Sequence, residues 1–147
     1  MPENKPNVIL MAEDDDDFYQ LTSFEMRNYS DVQFRRVEDG EELMDYLLHR
    51  GKYQNPQDAP FPDLILLDLN MPRKNGHEAL KEIRSNAQLP FVPILILTVS
   101  SDKKDIQRAY SSGANSFITK PDDFQEWADF LKAMKFYWFK IVQLPSS

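Results

Sequence analysis

The chain has no cysteine, which removes disulfides, thiolate metal sites and cysteine nucleophiles together and fits a reducing compartment. It has no apolar run approaching the roughly 18 residues of a membrane span, and its start lacks the charged beginning and long apolar stretch of a secretory signal. Positive charge is also short: 17 Lys and Arg stand against 24 Asp and Glu, for a formal net charge of -7. No basic stripe is visible, and sequence-independent binding to nucleic acid or anionic lipid needs clustered Lys and Arg. These absences lead to the expectation of a cytoplasmic protein with neither nucleic acid nor membrane as a partner.

What is present fits one compact domain over residues 1–147. The length is modal for a domain, and 41% apolar residues with 12% aromatics is ordinary for a folded globule. Short apolar runs alternate with amphipathic segments five times. The runs Asn7 to Ala12, Val32 to Val37, Asp63 to Asp68, Val92 to Thr98 and Asn115 to Thr119 have strand length and are rich in Val, Ile, Leu and Phe. Helical patterns lie at about 17–29, 40–50, 75–86, 102–112 and 123–142. A (βα)5 order of this kind predicts a doubly wound parallel α/β sheet with helices on both faces. The second run carries Gln33, Arg35 and Arg36, which places it at a sheet edge. The stretch from Gly51 to Pro62, with three prolines, reads as a long loop.

Four polar features each follow a strand-like run. The acidic run Glu13-Asp14-Asp15-Asp16-Asp17 follows the first, Asp68 ends the third, Thr98 ends the fourth, and Lys120-Pro121 follows the fifth. Open α/β sheets place their chemistry at the carboxyl ends of the strands, so all four should meet on one rim. Glu13, Asp14 and Asp68 brought together would repel one another, and a hard divalent cation relieves that better than a lysine alone. Mg²⁺ is the expected ion. The acidic run is not an EF-hand loop, because it lacks spaced oxygen ligands and a central glycine. Asp16 and Asp17 suit the solvated start of a helix. Thr98 as a turn hydroxyl, Lys120 as a surface lysine and Phe117 as plain core packing are the duller alternatives. His49 and His77 read as surface residues without partners.

These motifs resemble the receiver domains of two-component response regulators. An acidic pair after strand one, Asp with a Met-Pro turn after strand three (Asp68, Met71-Pro72), Thr after strand four and Lys-Pro after strand five occur in order. The resemblance covers about residues 7–135 and implies a flavodoxin-like sheet with strand order 2-1-3-4-5. It further implies Asp68 as phosphoacceptor, Thr98 as switch hydroxyl and Lys120 as phosphate-binding lysine. Asp14, Asp68 and the main-chain carbonyl of Asn70 would be direct Mg²⁺ ligands, with Glu13 acting through water. Phe117 matches the aromatic that moves with Thr98 in receivers, although tyrosine is frequent there. Receivers commonly have a cis peptide at the position of Lys120-Pro121, and X-Pro bonds lose most of the trans preference.

The end of the chain says more than the generic family. From Phe124, the apolar positions Trp127, Phe130, Leu131, Met134, Tyr137, Trp138, Ile141 and Val142 recur at spacings of three and four, predicting one long helix with an aromatic extension over about 134–147. Two readings stay open: the extension folds back on its own sheet, or Trp127, Phe130, Met134, Tyr137, Trp138 and Ile141 form an interface in a homodimer. The long loop before Asp68 and this tail look like small stand-alone receivers that act with bacterial phytochromes. No effector domain is expected after Val142. The resemblance therefore implies a single-domain response regulator phosphorylated by a sensor histidine kinase, with a phytochrome-type kinase suggested. It would be a phosphoacceptor signalling protein and not an autonomous enzyme. Two rivals remain. A phosphotransferase with an aspartyl-phosphate intermediate usually has a second acid two residues later, where Asn70 stands; a constitutive binding module would be expected to lack one of the four site residues.

Overall fold

A computed structural model describes residues 5–145. Five parallel strands form one sheet in the order β2-β1-β3-β4-β5. They are β1 (Asn7–Ala12), β2 (Val32–Val37), β3 (Leu64–Leu67), β4 (Ile94–Thr98) and β5 (Ser116–Thr119). The helices are α1 (Asp16–Met26), α2 (Gly40–Leu48), α3 (Gly76–Ser85), α4 (Lys103–Ser111) and α5 (Phe124–Phe136). The fold class and strand order are those expected, and β2, with Arg35 and Arg36, does lie at an edge.

The strand sequences explain the layering. Strands β3 (Leu-Ile-Leu-Leu) and β4 (Ile-Leu-Ile-Leu-Thr) are buried at every position, as strands covered on both faces must be. Alternation then divides them: Ile65, Leu67, Ile94 and Ile96 join Leu43, Met44, Leu80 and Ile83 on one side of the sheet. Leu64, Leu66, Leu95 and Leu97 join Met26, Trp127, Leu131 and Met134 on the other. Each of the five α-helices begins at an Asp or Asn whose side chain accepts a backbone N–H of the first turn: Asp15, Asp39, Asn75, Asp102 and Asp123. Such caps satisfy donors that have no partner within the helix. Asp15 thereby takes a structural task inside the acidic run, and Asp16 and Asp17 fill the first turn of α1.

The loop from Gly51 to Pro62 is more ordered than its composition predicts. It holds two short 3₁₀ turns, Gly51–Tyr53 and Pro56–Asp58. The Tyr46 hydroxyl donates to Pro60 O at 2.7 Å, and His49 Nε2 lies 2.9 Å from Ala59 O. His77 is buried, with Nε2 3.3 Å from Asp105 Oδ1. Both histidines therefore have partners, contrary to expectation. The helical period cannot distinguish a solvent-facing position from one roofed by a loop or a neighbouring helix.

The tail also departs from the single long helix. Helix α5 ends at Phe136, a π-helical turn spans Tyr137–Ile141 with Val142 N–H donating to Tyr137 O at 2.9 Å, and Val142 is extended. Trp127 and Met134, candidate interface residues, are instead buried in the chain's own core, because α5 packs on α1 and the sheet. Phe130, Trp138 and Phe139 are half-buried against the same cluster, while Phe136, Tyr137 and Ile141 are exposed. Ser146 and Ser147 of the predicted extension lie outside the described residues. Among the described residues, no helix is long and apolar enough to cross a membrane.

Candidate functional site

The predicted rim forms because Thr98 ends β4 and Glu13, Asp68 and Lys120 each extend a strand by one rung. The backbone N–H of Glu13 donates to Val37 O at 3.0 Å, that of Asp68 to Ala12 O at 3.1 Å and that of Lys120 to Thr98 O at 2.7 Å. The ladder thus fixes the Cα positions of the functional residues. Gly76 lets the start of α3 close behind them: a Cβ there would lie 2.3 Å from Asp68 O, inside any allowed contact. The Gly76 N–H donates to Leu69 O at 2.9 Å, joining the helix start to the residue after Asp68.

Glu13, Asp14 and Asp68 bring one carboxylate oxygen each to within 4.8 Å of one another. Glu13 and Asp68 are buried, and Asp14 is exposed. The Lys120 ammonium lies 2.8 Å from Glu13 Oε1 and 3.5 Å from Asp68 Oδ2. Burial first, and the Asp68 charge second, push the Glu13 carboxyl up to about 7, with Lys120 opposing both. Burial disfavours the charged form of Lys120, but the two acids more than offset it and hold the ammonium above the ordinary lysine range. Three carboxylates around one ammonium leave excess negative charge. A divalent cation with oxygen ligands suits that donor set.

Further bonds set the surroundings. Asn70 N–H donates to Asp68 Oδ1 at 3.2 Å, and Asn70 Nδ2 donates to Thr98 Oγ1 at 3.4 Å. Thr98 is fully buried, and its hydroxyl oxygen also accepts from Ser100 N–H at 3.4 Å. Phe117 lies on the strand beside it, in a register that pairs Thr98 with Thr119. Phe117 lies two positions before Thr119, so Phe117 and Thr98 face the same side of the sheet. Phe117 is half-buried against the core, and its N–H donates to the Tyr110 hydroxyl at 3.1 Å.

One expected feature is absent. The Lys120-Pro121 peptide is trans. Its strand-like hydrogen bond to Thr98 already aims the side chain at Glu13 and Asp68, so no bend is needed for the ammonium to reach them.

Several residues around the site escaped the sequence reading. Arg36 Nε donates to Glu13 O at 3.0 Å, and its guanidinium pairs with Asp16 at 2.8 Å, tying the edge strand to the acidic loop. Ser100 Oγ donates to Asp105 Oδ2 at 2.9 Å, linking the loop after Thr98 to α4 and so to His77. Phe18 places its ring 4.6 Å from the Lys120 ammonium. It lies in the first turn of α1 directly after Asp16 and Asp17, which read as the solvated start of a helix.

Comparison with known proteins agrees with this geometry. Residues 9–132 match the response regulator receiver domain family. The chain is 32% identical to response regulator Rcp1 of Synechocystis over 145 residues, covering 98% of this chain and 97% of that protein. The crystal structure of the phosphorylated cyanobacterial phytochrome response regulator RcpA superposes with a TM-score of 0.88 at 34% identity, covering 96% of this chain and 99% of that one. The Mn²⁺-bound form of Rcp1 superposes with a TM-score of 0.85 at 32% identity, covering 96% of this chain and all of that one. With the strand order, the acidic cluster and the lysine in place, the chain belongs to the response regulator receiver family of two-component signalling proteins.

Proposed function

We propose that this chain is a cytoplasmic, single-domain response regulator that accepts a phosphoryl group on Asp68 from a histidine kinase and signals by contact. The observation that carries this reading is the gathering of the Glu13, Asp14 and Asp68 carboxylates with the Lys120 ammonium at one end of the sheet. A phytochrome-type kinase is the proposed donor, because RcpA, similar over nearly the whole chain, is a phytochrome response regulator.

Asp14, Asp68 and the Asn70 carbonyl would hold Mg²⁺, with Glu13 acting through water. When bound, the ion neutralises charge on the carboxylates and on the incoming phosphoryl oxygens. An Asp68 carboxylate oxygen attacks phosphorus of the phosphohistidine as the P–N bond breaks. The imidazole leaves, and an acyl phosphate remains on Asp68. Lys120, already raised in pKa by its acidic neighbours, stays charged and pairs with a phosphoryl oxygen. The Thr98 hydroxyl donates to another. At present its oxygen accepts from Asn70 and Ser100, so drawing it toward the phosphoryl group pulls the loop after β4 inward. Phe117, on the same face, can fill the space vacated by Thr98.

The output surface is proposed to be the exposed end of the tail. Phe136, Tyr137 and Ile141 are each more than half exposed, at 59%, 51% and 54%. Apolar residues so placed suit a second copy of the chain.

Incubation with a phosphorylated histidine kinase and Mg²⁺ tests the reading. Stoichiometric transfer, lost in Asp68→Asn, is expected. Continuous release of phosphate with many turnovers per molecule would favour a phosphotransferase or phosphatase instead. Absence of transfer from any donor would favour a constitutive binding module.

A further inference from the structure

Lys120 has a third neighbour besides Glu13 and Asp68. Its ammonium lies 4.6 Å from the centre of the Phe18 ring, within the range of a cation–π contact. That ring is held from behind. Phe18 packs on Trp127 with ring centres 5.1 Å apart, and Trp127 stacks on Phe130 at 5.5 Å. The buried Trp127 Nε1–H donates to Thr22 Oγ1 at 2.9 Å, and the Thr22 hydroxyl donates to Phe18 O at 2.9 Å. Thr22 thus ties both ends of the assembly: its oxygen locks the indole that supports the Phe18 ring, and its hydrogen holds the Phe18 backbone.

We propose that Phe18 is a positioning residue for Lys120, an aromatic wall fixed by Trp127 and Thr22 that keeps the ammonium beside Asp68. The proposal rests on the reading of Asp68 as phosphoacceptor. Its physical basis is the length of the lysine side chain. Four methylenes give the ammonium many rotamers, and Glu13 alone would draw it away from Asp68, since it lies 0.7 Å closer to Glu13 (2.8 against 3.5 Å). A ring face attracts the cation without accepting its proton and without competing for the phosphoryl group. It also covers one flank of the ammonium against water, which strengthens its pairing with an arriving phosphoryl oxygen.

A leucine at this position keeps an apolar side chain of similar reach but has no π face, whereas tyrosine retains the face. A merely structural Phe18 would lower stability in Phe18→Leu but leave the phosphorylated state and Lys120 undisturbed. As a positioning residue, Phe18→Leu slows phosphorylation by a small phosphodonor by roughly three- to thirty-fold at saturation, the range of a cation–π contact between exposed and desolvated sites. The loss appears in the maximal rate more than in the donor concentration for half-saturation, and Phe18→Tyr recovers most of it.

The same contact can be read in the wild-type protein by NMR, independently of any variant's folding. Ring-current shielding should move the Lys120 ε-methylene protons upfield of the other lysines, and Phe18→Leu should return them to the common range. Phosphorylation of Phe18→Leu at the wild-type rate overturns the proposal while leaving Asp68 as phosphoacceptor. So does a wild-type Lys120 ε-methylene signal within the envelope of the other lysines. A wild-type chain that takes no label overturns the reading of Asp68, and this proposal with it.

Discussion

The Lys120 ammonium sits 2.8 Å from Glu13 and 3.5 Å from Asp68, so a single ammonium is shared by two buried acids. It cannot neutralise both. Glu13 absorbs the deficit, with its carboxyl pushed up to about 7 by burial and by Asp68. The ordinary value is 4.5. A carboxyl raised on folding binds its proton more tightly in the native state. Its contribution to stability is therefore full below pH 4.5 and lost as pH rises to about 7, a change on the order of 3 kcal/mol for this buried group. In chelator, the stability difference between wild type and Glu13→Gln, from denaturant unfolding across that window, should change with this sign. A difference independent of pH would contradict it.

The loop that follows Asp68 is anchored from the turn between β2 and α2. Asp39 caps α2 through Glu42 N–H at 2.8 Å and also pairs with the Arg73 guanidinium. Arg73 has a left-handed backbone with φ of 66°. Burial raises the Asp39 carboxyl, but the cap bond and the guanidinium outweigh it and hold it below the usual range. Asp39→Ala should cost about 1–2 kcal/mol. Arg73→Ala, which removes an exposed partner, should cost no more than about 1 kcal/mol. Urea unfolding of both variants checks the order.

Gly76 closes α3 against β3. Alanine there would set its Cβ 2.3 Å from Asp68 O and 2.7 Å from the Leu69 Cα, both backbone atoms without freedom to turn aside. Gly76→Ala should lose roughly 1–3 kcal/mol and weaken Mg²⁺ binding, because any relief moves the backbone of Asp68. Calorimetric titration with Mg²⁺ and thermal unfolding measure the two effects.

The tail divides between core and surface within a few residues. Removing residues from Met134 onward would expose the core around Leu131. Replacing Tyr137 and Ile141 by serine should instead leave the fold intact and weaken self-association at least ten-fold by sedimentation. Unchanged association in the folded double variant would place the interface elsewhere.

The alternation of apolar runs and helical periods made the sheet legible, because β3 and β4 are apolar at every position and few other arrangements bury them. Asp68, Thr98 and Lys120 were legible because each closes a strand. Trp127 and Met134 were harder to place. A three–four spacing says which residues share a helix face, not whether that face meets its own sheet or another molecule. The π turn at Tyr137–Ile141 has no sequence signature, since its five residues keep a helical pattern. Phe18 went unread for a different reason: its partners Lys120 and Trp127 stand 102 and 109 positions away along the chain. Only folding brings them together.

The most direct test is to locate the label itself. After incubation with Mg²⁺ and a small phosphodonor, trapping of the acyl phosphate with a hydride reagent and peptide mass mapping should find one modification per chain, at Asp68. It should be absent when Mg²⁺ is chelated. Modification at any other residue, or an unmodified Asp68 under conditions that label a known receiver, would contradict the account.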